Sequence, residues 1–203
     1  DASGRVVCPG FIDVHVHSEI ELLGGPHRYG SAPQGVTTHL TAPDGFGWAP
    51  LRPDLARELW ESTLFAYGPT DLEPSWPTVA DYLALFPGRT PVNIVPQVPH
   101  CAVRLAVLGW EARPATDAEI DQMKAITRTW LEAGAVCLNL GLDYQPSAFA
   151  DTRELIELSQ VAREYDAIYA AHIRYKDLGS AAAWRETMEI GRQAGLPVHI
   201  SQE

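Results

Sequence analysis

The sequence predicts an α/β fold on a parallel sheet, with six strands of either a doubly wound sheet or an incomplete (β/α)8 barrel. Three observations predict it. Short apolar, β-branched runs recur along the chain. They alternate with segments that carry apolar residues at helical spacing, and strand–helix–strand alternation gives parallel βαβ units. No dinucleotide-type glycine fingerprint accompanies them, which leaves the barrel open as the alternative to a nucleotide-binding sheet.

The elements follow in order. Arg5 to His17 holds a compact apolar run that ends in His-Val-His, the first strand. Gly35 to Pro43 is β-branched and bounded by turn formers, the second. A proline-rich excursion runs from Ala49 to Pro77, and helical spacing marks Pro53 to Leu64 and Thr78 to Phe86. Val92 to Val98 reads as the third strand. Thr116 and Glu119 form a capping-box pattern. An apolar stripe of Ile120, Met123, Ile126, Trp130 and Leu131 follows, and Gly134 closes that helix. Ala135 to Leu142 is the fourth strand. Asp151 and Glu154 cap a helix that turns Leu155, Leu158, Val161 and Ala162 inward. Ala167 to Tyr175 is the fifth strand, a helix from Ser180 to Ala194 stops at Gly195, and Pro197 to Ser201 opens the sixth. A complete barrel takes about 250 residues; these six strands fall about two βα units short, and the two ends read as those of a segment from a longer chain.

Composition narrows the function. Of 203 residues, 46% are hydrophobic and 20% charged, an ordinary globular balance with material for a core. No apolar run reaches the roughly 18 residues of a membrane span. A net charge of −11 disfavours nucleic acid and anionic membranes as partners. Cys8, Cys101 and Cys137 are too few and scattered for a disulfide framework, so buried free thiols and a reducing, cytoplasmic setting are expected.

The chemistry centres on His15 and His17. Residues two apart on a strand share one face, so both imidazoles can meet a single metal ion from one platform. A strand's carboxyl end is where barrel active sites lie. Taken alone, such a pair is weak evidence, and two histidines that are solvated or hydrogen-bonded within the fold are the commoner case.

Longer segments carry a resemblance. PGFIDVHVH, Pro9 to His17, is similar to the first-strand signature of the amidohydrolase superfamily. GVTTHLTAPDGFG, Gly35 to Gly47, and the stretch from Leu131 to Arg174 resemble the D-aminoacylase (N-acyl-D-amino-acid deacylase) branch. QVPHCAVRLAVLGWEARPAT and LPVHISQE are similar more loosely. The resemblance implies a (β/α)8 TIM-type barrel of which residues 1–203 are one partial domain, about strands one to six, without the flanking β-sandwich. It implies zinc, one or two divalent ions, held by His15, His17 and His172. The family's bridging cysteine falls on Asp44 and its sixth-strand ligand histidine on Gln202, with His199 three residues earlier. Asp44 keeps a deprotonable oxygen, whereas the Gln202 amide is a weak zinc ligand. The family's catalytic aspartate belongs to an eighth strand, so no catalytic residue is assigned among these 203. The implied activity is hydrolysis of a linear amide in a small N-acyl amino acid. The alternatives are a barrel that binds without chemistry, favoured by the changes at Asp44 and Gln202, and hydrolysis of a cyclic amide.

Other residues carry two readings each. Arg174 shares the His172 face if the strand continues, and could hold a substrate carboxylate; a structural ion pair, for example with Asp177, is the alternative. Tyr144 is a candidate substrate contact or a packed loop residue. Asp44 sits in Pro-Asp-Gly, strong turn chemistry in its own right. Asp13 is placed to orient the His15 imidazole, Glu19 to be solvated or to cap, and His27, His39 and His100 have weaker claims. A truncated parallel sheet also leaves an exposed edge, which invites association with a second copy.

Overall fold

The computed structural model describes residues 1–24, 30–73 and 76–202. His27, and the side chain of Asp177, lie outside the described residues.

Among the described residues seven short strands form two parallel sheets. β1 (Phe11–Asp13), β2 (Val36–Leu40) and β3 (Asn93–Val95) make one, and β4 (Val98–Pro99), β5 (Cys137–Gly141), β6 (Ile168–His172) and β7 (Val198–Gln202) the other. The expected third strand is therefore interrupted. Pro96 has no N–H to give to a ladder. The chain pairs with β2 before it and with β5 after it. Across this break the six expected strands lie side by side in sequence order, the arrangement of a partial (β/α)8 barrel.

Helices connect them. After β1 comes α1 (Glu19–Leu23); after β2 come α2 (Pro53–Ser62), α3 (Leu64–Tyr67) and α4 (Val79–Leu83). α5 (His100–Leu108) and α6 (Asp117–Glu132) join β4 to β5, α7 (Thr152–Arg163) joins β5 to β6, and α8 (Tyr175–Leu178) and α9 (Ser180–Ala194) lead to β7. α6 starts at a complete capping box, with the Thr116 hydroxyl accepting from the Glu119 N–H and the Glu119 carboxylate accepting from the Thr116 N–H. α5 was not expected from the sequence: its residues are buried nearly all round, so it shows no amphipathic stripe.

The core lies between strands and helices. Leu138, Leu140, Tyr169 and Ala171 pack against Met123, Trp130, Leu155, Leu158, Ala162 and Ile190, all essentially inaccessible. All five residues of β5 are buried, as expected of a strand covered on both faces. β1 differs: Phe11 and Ile12 are about 60% exposed, so this edge presents apolar side chains outward. Cys101 and Cys137 are buried as expected, whereas Cys8 is exposed because it precedes the ordered strand. Among the described residues no helix is long and apolar enough to cross a membrane.

Candidate metal centre

The site assembles at the carboxyl ends of β1, β2 and β6. β1 stops at Asp13, so His15 and His17 lie just past the strand, their rings edge-to-face at 5.6 Å. The Asp13 carboxylate accepts the backbone N–H of His15 at 3.2 Å, which ties down the turn and does not orient the imidazole.

Asp44 is brought over by a tight turn. After β2 the chain forms a 3-10 turn, Pro43–Gly45; Ala42, just before it, and Asp44, within it, both adopt left-handed backbone, at φ of 61° and 54°. That region costs an ordinary L-residue roughly 1–2 kcal/mol, least for Asp and Asn. Two features compensate. The Glu19 carboxylate accepts the Ala42 N–H, so Glu19 is a wholly buried brace and neither a solvated group nor a cap. Burial pushes its carboxyl above the usual carboxylate range. Gly45 and Gly141 allow the turn to lie on β5: a Cβ at Gly45 would come within 2.7 Å of the Asn139 carbonyl oxygen.

Asp44 then faces three imidazoles. Its Oδ2 lies 3.3 Å from His17 Nε2 and 3.7 Å from His15 Nε2, and its Oδ1 lies 3.7 Å from His172 Nδ1. Burial raises the Asp44 carboxyl, but the imidazoles of His15 and His17 outweigh it and hold the group well below the ordinary carboxylate range. The imidazoles of the first and fifth predicted strands thus converge on opposite oxygens of one buried carboxylate.

β7 adds Gln202. The register sets His199 beside Ala170, lower in the barrel, and a bulge at Ser201 of β7 then sets Gln202 beside His172. Gln202 Oε1 lies 2.6 Å from His172 Nδ1. His172 Nε2 faces the buried Asp143 carboxylate at 3.1 Å. With its N–H directed there, Nδ1 is left as an acceptor, open to the Gln202 amide or to a cation.

The donor set fits a divalent metal. His15, His17 and Asp44 each offer a ligand atom within 4.8 Å of the others. Both ring nitrogens of His15, Nδ1 of His17 and Oδ1 of Asp44 are buried without a hydrogen-bond partner. Buried polar atoms are rarely left so, and imidazole nitrogen with carboxylate oxygen is a zinc-type set.

Aromatic rings wall the centre. Tyr144 meets His172 edge-on at 4.9 Å and Phe46 at 5.3 Å, and Tyr67 meets His17 at 5.0 Å. Tyr144 is thus beside the site, as the sequence allowed. Arg174 is not available to a ligand. β6 ends at His172, so the alternation that would have turned Arg174 inward stops before it. Its guanidinium donates to Glu186 at 2.8 Å and to the carbonyls of Ala148 and Ala150 at 3.0 and 2.8 Å. His39 is held by the hydroxyls of Ser18 and Ser31. His100 sits in a fully buried group with Ser147, Glu154 and Arg104. Asp143 was missed in the sequence. A lone carboxylate in a loop carries no signal until β5 and β6 are aligned.

Comparison with known proteins places this geometry. A model of the amidohydrolase family matches residues 1–202. An N-acyl-D-aspartate deacylase of Alcaligenes xylosoxydans xylosoxydans is 37% identical over 203 residues, which is 99% of this chain and 40% of that protein. A D-aminoacylase of the same organism is 37% identical over 205 residues, 99% of this chain and 41% of its own length. The crystal structure of an N-acyl-D-glutamate deacylase from Bordetella bronchiseptica, complexed with zinc and a phosphonate inhibitor, superposes with a TM-score of 0.79 at 32% identity, over 98% of this chain and 41% of that one. A D-aminoacylase crystal structure gives 0.78 at 31% identity, over 95% and 40%. The chain spans about two fifths of the length of these relatives. Matched from its first residue to Gln202, it belongs to the amidohydrolase family.

Proposed function

We propose that this chain carries the metal-binding part of a zinc-dependent deacylase that hydrolyses the amide of N-acyl-D-amino acids. The observation that carries the reading is the Asp44 carboxylate, with one oxygen toward His15 and His17 and the other toward His172. Relatives described as N-acyl-D-aspartate deacylase and D-aminoacylase, each 37% identical, support the substrate class.

In this reading His15, His17, Asp44 and His172 hold the ion, and Gln202 borders it. A divalent ion supplies Lewis acidity toward the substrate carbonyl and the attacking water. Asp44 brings the negative charge that three neutral imidazoles lack. Phe46, Tyr67 and Tyr144 restrict water around the centre, which strengthens its electrostatics. Tyr144 also offers a ring against which an acyl or amino-acid side chain can rest. No residue of this chain is assigned the role of general base. The three cysteines are all free, with burial pushing the Cys101 and Cys137 thiols up, which supports a reducing compartment.

The test is zinc content per chain together with turnover of a panel of N-acyl-D-amino acids, their L-enantiomers and cyclic amides. Stoichiometric zinc that is lost in a His15→Ala, His17→Ala double variant is expected. Failure of the wild-type chain to take up zinc sinks the reading, and preference for cyclic amides redirects it.

A further inference from the structure

An imidazole that ligates a metal through one nitrogen presents the other as an N–H to an acceptor, and that acceptor fixes tautomer and ring orientation. For His172 the acceptor is Asp143, in the turn after β5. Its side chain is wholly buried and its Oδ2 lies 3.1 Å from His172 Nε2. Its Oδ1 accepts the Lys176 backbone N–H at 3.3 Å. The Lys176 ammonium stands 3.7 Å from Oδ2, over the rings of Tyr144 and Tyr175 at 5.4 and 5.5 Å from their centroids. A buried carboxylate is costly unless paired and hydrogen-bonded, and this one is both.

The rings around His172 cannot do the same work. Tyr144 meets it edge-on at 4.9 Å and Tyr175 stacks on it at 5.6 Å. Both contacts survive a half-turn of the imidazole about χ2. That half-turn would replace each nitrogen by a ring carbon, at Asp143 and at Asp44 alike. Only a polar partner distinguishes the two orientations: the Asp143 carboxylate at Nε2 and the Gln202 amide at Nδ1, of which only the carboxylate is restricted to accepting.

We infer that Asp143 is a positioning residue of the metal centre, holding His172 with Nε2–H directed at itself and Nδ1 directed at Asp44, while Lys176 compensates its buried charge. The inference rests on the metal-centre reading above, and it adds two residues that the site's donors do not include. The negative charge behind the ring also makes Nδ1 a better donor, an effect worth about 10–100-fold in metal affinity where such partners are removed.

The experiment compares the wild-type chain with Asp143→Asn, Asp143→Leu and Lys176→Met. Zinc affinity is measured by competition with a chromophoric chelator. The tautomer of His172 is read by long-range 1H–15N correlation on histidine-labelled, metal-free protein, about two pH units above the ordinary imidazole value, with His172→Gln providing the assignment. The wild type shows the Nε2–H pattern. Asp143→Leu loses it and binds zinc about 10–100-fold more weakly. Asp143→Asn keeps the pattern, because an amide oxygen still accepts, but binds zinc several-fold more weakly. Lys176→Met weakens zinc less than Asp143→Leu does. Wild-type zinc affinity and an unchanged ring pattern in Asp143→Leu overturn the inference. If that variant does not fold, unchanged zinc affinity in both Asp143→Asn and Lys176→Met overturns it instead. A wild-type chain that takes up no zinc defeats the metal reading separately, while the metal-free spectrum still decides whether Asp143 holds the ring.

Discussion

Gly141 and Asp44 touch so closely that no side chain fits between them: a Cβ built at Gly141 would lie 2.5 Å from the Asp44 carbonyl oxygen and 3.0 Å from the Asp44 Cβ. Gly141 ends β5 and Asp44 belongs to the turn after β2. The glycine therefore sets how far the carboxylate reaches over the sheet, and with it the distance to His172. Gly141→Ala should displace the turn. Overpacking of this kind costs about 1–3 kcal/mol, and zinc affinity should fall more than tenfold because Asp44 no longer faces both sets of imidazoles. Thermal melting and a zinc titration read the two effects. A variant that binds zinc normally would show that the turn can shift without moving the carboxylate.

Glu154 should govern acid stability from outside the metal site. Its side chain is fully buried, donated to by Arg104 and placed 2.9 Å from His100 Nε2. Burial raises its carboxyl, but His100 and Arg104 outweigh burial and the group sits below its ordinary value of 4.5. A depressed folded value means that the unfolded chain binds the proton more readily. The stabilisation is therefore complete above the ordinary carboxylate range and is lost as pH falls through the folded value. Glu154→Gln should cost about 3–5 kcal/mol near neutrality, by leaving Arg104 buried without its counter-charge. The difference from wild type should shrink as the pH drops below about 4.5. Urea unfolding at several pH values checks it; a difference independent of pH would refute the assignment.

Much of this fold was legible in the sequence, and the failures have physical causes. The α6 capping box, the helix Ser180–Ala194 and its stop at Gly195 stand where pattern and capping chemistry put them, because local signals and tertiary structure agree there. The third strand broke at Pro96, where a missing donor outweighed an otherwise β-like run. α5 escaped notice because a helix buried all round has no polar face to give it a period. At the site, the sequence points to His15, His17, His172, Asp44 and Gln202; the structure sets the three imidazoles around Asp44 and Gln202 beside His172. Family resemblance supplied the pairing of Asp44 with His172, which no local rule could. Glu19 and Asp143 depended on tertiary placement: each is one more acidic residue in a chain of net charge −11 until the turn and the strand register bury it.

Arg174 gives a test between two roles. The sequence allowed it to hold a substrate carboxylate, but its guanidinium spans Glu186 and two carbonyls, with the side chains of the ion pair 9% and 11% exposed. Arg174→Met should lower stability by about 3–5 kcal/mol, the usual effect of breaking a buried pair. Arg174→Lys should recover little, because an ammonium cannot reproduce the planar fork across three acceptors. Denaturant unfolding of both variants measures this. Full stability in Arg174→Met, with weakened binding of an N-acyl amino acid, would restore the binding role.

Gln202 should limit how many ions the centre can hold. It stands against His172 Nδ1 at 2.6 Å, where an imidazole would offer a far stronger donor than an amide oxygen. The register keeps His199 from substituting, since it pairs with Ala170, two residues before His172. Gln202→His should therefore tighten zinc binding at least tenfold, about 1.4 kcal/mol, and raise the zinc bound per chain where a second ion enters on the far side of Asp44. The side chains are close enough in volume that the strand should accept the change, with a melting temperature near that of the wild type. Isothermal titration with zinc, combined with metal analysis of the dialysed protein, gives affinity and stoichiometry together. If neither changes, Gln202 lies outside the metal's reach, and His15, His17, Asp44 and His172 are the whole donor set that this chain provides.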